Sequence, residues 1–328
     1  MKILATIVFC LTLQSSAFSA EVDHYSISYE KIDDSAYSIN ERANLYIEKA
    51  IASANAESPC EESVLYKELQ HYFANHANGE LGADLLEDKD FERTVIPLAQ
   101  SIYREWSPFN GFLLGRKKAR TSPLALGPIM RIGENIVGTD KFEHMFGMGF
   151  KYFNKHYLKG KDLTSVLKGG VFLEKTALGG NILATGVFSY GDLAANFNGM
   201  RFWNHMLAKY DDVLGSEYNL GPYISCDGGR WVKKEYLDFR NYMDKSMDES
   251  LNCSKFATKS GLAKVKKQLN ILSKTRKLQA CLHSPKETHL ERKYGVVIKT
   301  DSKKRTISHW ILNYQGHGKV SYFREFKD

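Results

Sequence analysis

Two stretches of this chain gather residue types that can move protons. Residues 138–147 read GTDKFEHMFG and place Asp140, Glu143 and His144 within two helical turns on a strongly apolar background. Residues 184–196 read ATGVFSYGDLAAN and set Thr185, Ser189, Tyr190 and Asp192 in a glycine-punctuated turn that runs into a helix. Ionisable groups in apolar surroundings are costly unless they are paired or used. We read the two stretches as one site. Its carboxylates suit the cutting of a glycosidic bond, in which one carboxylic acid protonates the leaving oxygen and a second group meets the developing charge.

Each candidate also has a plainer reading. Asp140 followed three residues later by Glu143 is a capping-box pattern at a helix start. A helix N-terminus favours a carboxylate, whereas a general acid needs an apolar pocket, which Phe142, Met145 and Phe146 could supply. Asp140 and His144 lie four apart on one helix face. With Glu174, Asp192 or His205 they could bind a metal, or they could form a local ion pair. Ser189 lacks the GxSxG setting of a nucleophile and reads as a turn residue. Asp192 reads equally as a helix cap.

The elements that must position these groups are mostly helical. Residues 38–54, a segment opening at Ser58-Pro59, and residues 91–106 (with Pro97 inside) are predicted helices. Residues 140–158 form the central helix, with an aromatic stripe of Phe142, Phe146, Phe150, Phe153 and Tyr157. Gly147 and Gly149 weaken that helix by about 1 kcal/mol each, which another backbone lying close would explain. Residues 163–173 continue as helix. A short strand or hairpin is expected near Thr185-Gly186, then a helix capped by Asp192 and running to Leu207. Residues 215–229 read as loop, 260–278 as a basic amphipathic helix, and 296–322 as ending in strands. The divisions expected are a leader (1–19), an N-terminal helical region (20–125), a catalytic core (126–215) and a C-terminal extension (216–328), all within reach of one compact unit.

The first 19 residues read as a secretory signal peptide: Lys2, a short apolar run, then Ala17-Phe-Ser19 as a cleavage site. The mature chain then keeps four cysteines, Cys60, Cys226, Cys253 and Cys281. An even number in an exported chain suggests disulfides, with three pairings open. The formal net charge is +7. Basic residues are interleaved with acids and no base-reading motif is present, so the expectation is a solvated surface and no nucleic-acid partner.

The two motifs together, with Gly199 and Phe202-Trp203, resemble an exported bacterial family, the predatory-bacterial lysozymes that cut deacetylated peptidoglycan. The resemblance implies a mainly α protein with a lysozyme-like catalytic core and a small β-hairpin, flanked by N-terminal helical and C-terminal α/β extensions. It implies Glu143 as the catalytic acid. The hairpin at 184–190 would form the opposite wall of a sugar groove, with Thr185, Ser189, Tyr190 and Asp192 binding substrate. The departure from goose-type lysozymes is the lack of a Glu-Ser dipeptide and of a GLMQ segment in this region. A deacetylated sugar cannot use its own N-acetyl oxygen, so a second group is needed, and Asp192 is the candidate. The expectation is a secreted or periplasmic monomeric muramidase, with peptidoglycan strands as partner, no cofactor and no metal. The alternatives are a non-catalytic envelope-binding protein and a metal-dependent hydrolase built on Asp140 and His144.

Overall fold

The structure is a computed structural model and describes residues 21–27, 32–75, 77–111, 126–175, 185–275, 281, 289–313 and 319–324. The expected leader, the basic loop at 116–120, the turn at 179–181 and Ala184 lie outside those residues.

The described chain is mainly helical with three small sheets. A short buried turn α1 (His24–Ile27) precedes α2 (Ala36–Glu57), α3 (Glu62–Tyr72) and α4 (Glu80–Glu87). Helix α2 buries Ile39, Ala43, Ile47, Ala50 and Ala54, the three-and-four spacing of a core-facing stripe. It extends the expected helix at both ends and starts after Ser35, not Ser38. The second helix starts at Glu62, where the Glu61 side chain accepts from the Ser63 amide. The antiparallel hairpin β1 (Ile129–Ile132) and β2 (Asn135–Gly138) then leads into the central helix.

That helix is continuous but uneven. It runs as α5 (Thr139–Glu143), a π-helical stretch (His144–Met148), α6 (Gly149–Phe153) and a second π-helical stretch (Asn154–Leu158). Helix α7 (Leu163–Lys175) follows, then strand β3 (Val187–Phe188) and α8 (Tyr190–Leu207). Every residue of α8 from Tyr190 to Met206 is buried, so it is the core helix around which the others pack. Strands β4 (Ile224–Asp227) and β5 (Arg230–Lys233) form a second hairpin. The chain ends with β6 (Lys255–Phe256), α9 (Lys259–Thr275), α10 (His289–Tyr294), α11 (Ser308–Ile311) and β7 (Ser321–Tyr322). One apolar cluster contains residues from Ala36 to Leu312. Disulfides join Cys60 to Cys226 and Cys253 to Cys281. The first ties the link between α2 and α3 to the β4–β5 hairpin.

Four expectations need correction. Residues 91–106 are not a helix: they hold one 3-10 turn, Leu98–Gln100. Pro97 lacks the amide that a helix needs and pushes the residue before it towards extended backbone. Thr94 pairs instead with Ile129, each amide donating to the other's carbonyl at 2.8 Å. The wall expected as a local hairpin at 184–190 has another construction: β3 pairs antiparallel with β6, nearly seventy positions along the chain, and β6 pairs in parallel with β7. The local hairpins are β1–β2 and β4–β5, in segments read as irregular or loop. Asp192 does not cap α8; Ser189 does, accepting from the Asp192 amide at 3.0 Å.

Of the two central-helix glycines, Gly149 is explained by α8. A Cβ on Gly149 would lie 2.5 Å from the Gly199 Cα, and one on Gly199 would lie 2.2 Å from the Met145 carbonyl oxygen. The two backbones touch at this crossing, and Trp203 Nε1 donates to the Phe146 carbonyl at 3.0 Å beside it. Gly149→Ala should therefore lower stability in urea unfolding by roughly 1–3 kcal/mol through overpacking, even though alanine is the better helix former by about 1 kcal/mol. An unchanged or raised midpoint would show that the helices do not cross this closely.

Candidate functional site

The crossing of the central helix and α8 brings the two sequence motifs together around one ammonium group. Lys141 is fully buried, and its Nζ donates to Asp140 Oδ2 (2.6 Å), Asp192 Oδ1 (2.6 Å) and Glu249 Oε1 (2.5 Å). All three donor positions of the ammonium are thereby used. Asp140 and Lys141 come from the first turn of the central helix and Asp192 from the first turn of α8. Glu249 comes from the loop after a short 3-10 turn, Lys245–Met247. Gly191 leaves room for the lysine stem, since a Cβ there would come within 3.0 Å of Lys141 Cε.

A second layer holds the carboxylates. Ser189 Oγ donates to Glu249 Oε1 at 2.7 Å, and Ser254 Oγ donates to Glu249 Oε2 at 3.0 Å. His144 Nε2 lies 3.1 Å from Asp192 Oδ2, and its Nδ1 lies 3.1 Å from Asn196 Oδ1. The Ser189 amide donates to Glu174 Oε1 at 3.2 Å. From the N-terminal segment, Glu21 Oε2 accepts from Thr185 Oγ1 at 3.2 Å. His24 is buried with neither ring nitrogen hydrogen-bonded among the described residues.

The electrostatics follow from this packing. Burial opposes the charged form of Lys141, but Asp140, Asp192 and Glu249 overcome it and hold the ammonium protonated. Burial alone would raise the Asp192 carboxyl; His144 and Lys141 reverse that and keep it ionised well below the usual carboxylate range. Burial likewise pulls His144 down, and the adjacent Asp192 charge lifts it to about 9, so the imidazolium persists at neutral pH. Asp140 is pushed up to about 7 by burial, against the pull of Lys141 and with the push of Asp192 and Glu249. Glu21 is raised by burial and then by Glu249 and Asp192. Burial lowers His24 to about 3. Five buried carboxyls, Glu21, Asp140, Glu174, Asp192 and Glu249, thus surround two buried cations, and burial pushes Asp140 and Glu21 towards the protonated form. Asp140 Oδ1 and Glu21 Oε1 accept no hydrogen bond among the described residues, whereas both oxygens of Asp192 and of Glu249 are engaged.

Glu143 is buried at 2 % exposure, the last α-helical residue before the π-helical stretch. Thr185, Ser189 and Asp192 are buried and belong to the network around Lys141. Tyr190 is buried with its ring 5.2 Å from Lys255 Nζ and edge-on to Phe188. These groups form an enclosed polar centre. The ion pair weighed for Asp140 and His144 forms instead between His144 and Asp192. His205 is not part of the centre; it pairs with Asp212 at 3.1 Å and with the Tyr242 hydroxyl at 2.9 Å. Sequence reasoning missed Glu249, Glu21 and His24, which carry no local motif. It also passed over Lys141, although a lysine on so apolar a background needs acidic partners. Oxygens of Asp140, Asp192 and Glu249 lie within 4.8 Å of one another, close enough for a metal ion; the Lys141 ammonium stands where that cation would.

Comparisons with family models, with curated proteins and with solved structures found no match for this chain.

Two outcomes follow. Lys141→Met leaves three buried carboxylates without their cation and should destabilise the fold by roughly 3–5 kcal/mol in denaturant unfolding at neutral pH; a loss under 1 kcal/mol would contradict the central role of the ammonium. The second concerns pH. His144 binds its proton more tightly folded than unfolded, so its contribution is complete below about pH 6.5 and is lost as pH rises towards 9. That loss is about 3 kcal/mol at most. Unfolding midpoints at pH 6.5 and 9 should fall for the wild type and fall less for His144→Gln; parallel declines would exclude this assignment.

Proposed function

We propose that the protein is an exported glycoside hydrolase that cuts the glycan strands of peptidoglycan, with deacetylated strands as the favoured substrate. Two disulfides, and the lack of any helix among the described residues long and apolar enough to cross a membrane, are compatible with export. The observation that carries the reading is that buried Glu143 stands directly before a π-helical stretch and next in the chain to His144, whose partner Asp192 is held ionised. π-Helical turns inside α-helices are frequent at functional sites. In this reading Glu143 protonates the leaving oxygen between the two sugars. Asp192, fixed as an anion by Lys141 and His144, stabilises the positive charge that develops on the sugar ring. Two carboxylates in different environments divide the labour in this way in glycosidases generally.

The spacing of Asp140, Asp192 and Glu249 favours a second reading, a divalent-metal hydrolase. It ranks lower because Lys141 already supplies the cation those oxygens need.

Release of soluble fragments from matched native and enzymatically deacetylated sacculi separates the two. Glu143→Gln keeps the shape and removes the acid. Fragment release by the wild type, greater from the deacetylated wall and reduced at least 100-fold in the variant, is the expected result. Full activity in Glu143→Gln would sink the glycosidase reading. Activity abolished by a chelator and restored by zinc or manganese would establish the metal reading in its place.

A further inference from the structure

A cavity far from the Lys141 centre in both sequence and composition lies between the end of the central helix and the segment 296–307. Its volume is about 480 Å³, within the usual span of small-molecule sites. The walls are aliphatic: Leu163, Val213, Val296, Ile298 and Ile307, with Val297 also lining it and 49 % exposed. One wall is held by a short backbone ladder. The Ile298 amide donates to the Arg305 carbonyl, and the Ile307 amide donates to the Val296 carbonyl, both at 3.0 Å. The facing wall is held where His156 Nδ1 donates to the Lys161 carbonyl at 2.8 Å. Six of the twelve lining residues are aliphatic, one side is fixed by backbone bonds and the other by a side-chain bond to backbone, so the cavity offers a preformed aliphatic wall beside a polar one.

Charge gives it a sign. Lys161 and Lys299 both line the cavity, both are exposed, and neither ammonium has a carboxylate partner among the described residues. The one acid in the lining, Asp162, accepts from the Ser165 amide at 2.9 Å at the start of α7, and the two lysines outnumber it. Two unpaired lysines over an aliphatic floor favour a ligand that is apolar at one end and anionic at the other. Apolar area supplies most of the free energy, and the cations fix orientation and exclude neutral or cationic analogues.

We propose that this cavity binds a free single-chain amphiphile with an acidic headgroup, an alkyl carboxylate or alkyl phosphate, with the chain against Val296, Ile298 and Ile307 and the headgroup between Lys161 and Lys299. The site shares no residue with the Lys141 centre, so it stands or falls apart from the glycosidase reading.

Isothermal titration of the full chain with dodecyl phosphate, held below its micelle concentration, tests this. The expected result is saturable one-to-one binding that weakens at least tenfold in Lys161→Glu/Lys299→Glu and at least tenfold in Val297→Asp, with melting temperatures unchanged. All three positions are exposed, so the variants should fold. Equal affinity for dodecyl maltoside would overturn the anionic part of the proposal, and equal affinity for inorganic phosphate would overturn the apolar part. Retained binding in the variants, or binding to anionic phospholipid vesicles with none to the monomer, would overturn the site.

Discussion

The structure turns on one buried ammonium. Lys141 has no access to water, and its three hydrogen bonds go to carboxylates from three separate segments of the chain. Removing such a charge from water costs several kcal/mol even after relaxation, and only good geometry with every hydrogen bond made offsets that cost. The requirement works backwards on the fold. The start of the central helix, the start of α8 and the loop at Glu249 must all arrive at one point. Ser189 shows the economy of the arrangement, since one hydroxyl caps α8 and also orients Glu249. A buried ion cluster is weak evidence of stability, but it specifies which segments meet.

The meeting is possible because the two helices come unusually close. Gly149 and Gly199 sit face to face, and Trp203 bonds the Phe146 carbonyl within the π-helical stretch. A π turn misaligns the backbone hydrogen bonds locally and costs helix stability, so it persists where packing dictates it. Here the widened turn follows Glu143 at once and carries His144 on to Asp192. The geometry of the crossing and the chemistry of the site are therefore one construction. A helix of regular pitch through 144–148 would rotate His144 and the aromatic stripe relative to each other.

Much of this was legible in the residues. The aromatic periodicity of the central helix, its glycines as a mark of close backbone approach, and the union of residues 138–147 with 184–196 all follow from spacing and from the cost of burying charge. What was not legible depends on long-range pairing. Nothing near Glu249 marks it, because its partner is 108 positions away. Strand β3 is two residues long and has meaning only beside β6 and β7. The helix expected at 91–106 failed on Pro97, a local signal that the apolar pattern outweighed in the reading. The hairpin β4–β5 was announced by Asp227-Gly228-Gly229-Arg230, a turn signature set in a segment with too little apolar alternation to register as strand.

The charge of the chain and the charge of its centre have opposite signs, and the difference is one of location. The chain carries a net charge of +7, and among the described residues every lysine and arginine but Lys141, Arg201 and Lys255 is exposed or half-buried, where water and salt screen each charge beyond about 10 Å. Acids outnumber bases in the buried centre, where Glu21, Asp140, Glu174, Asp192 and Glu249 surround Lys141 and His144. A charge in that environment acts over short range with far less screening. Burial raises the Asp140 and Glu21 carboxyls first, and the neighbouring carboxylates raise them further, because two cations do not balance the acids gathered there.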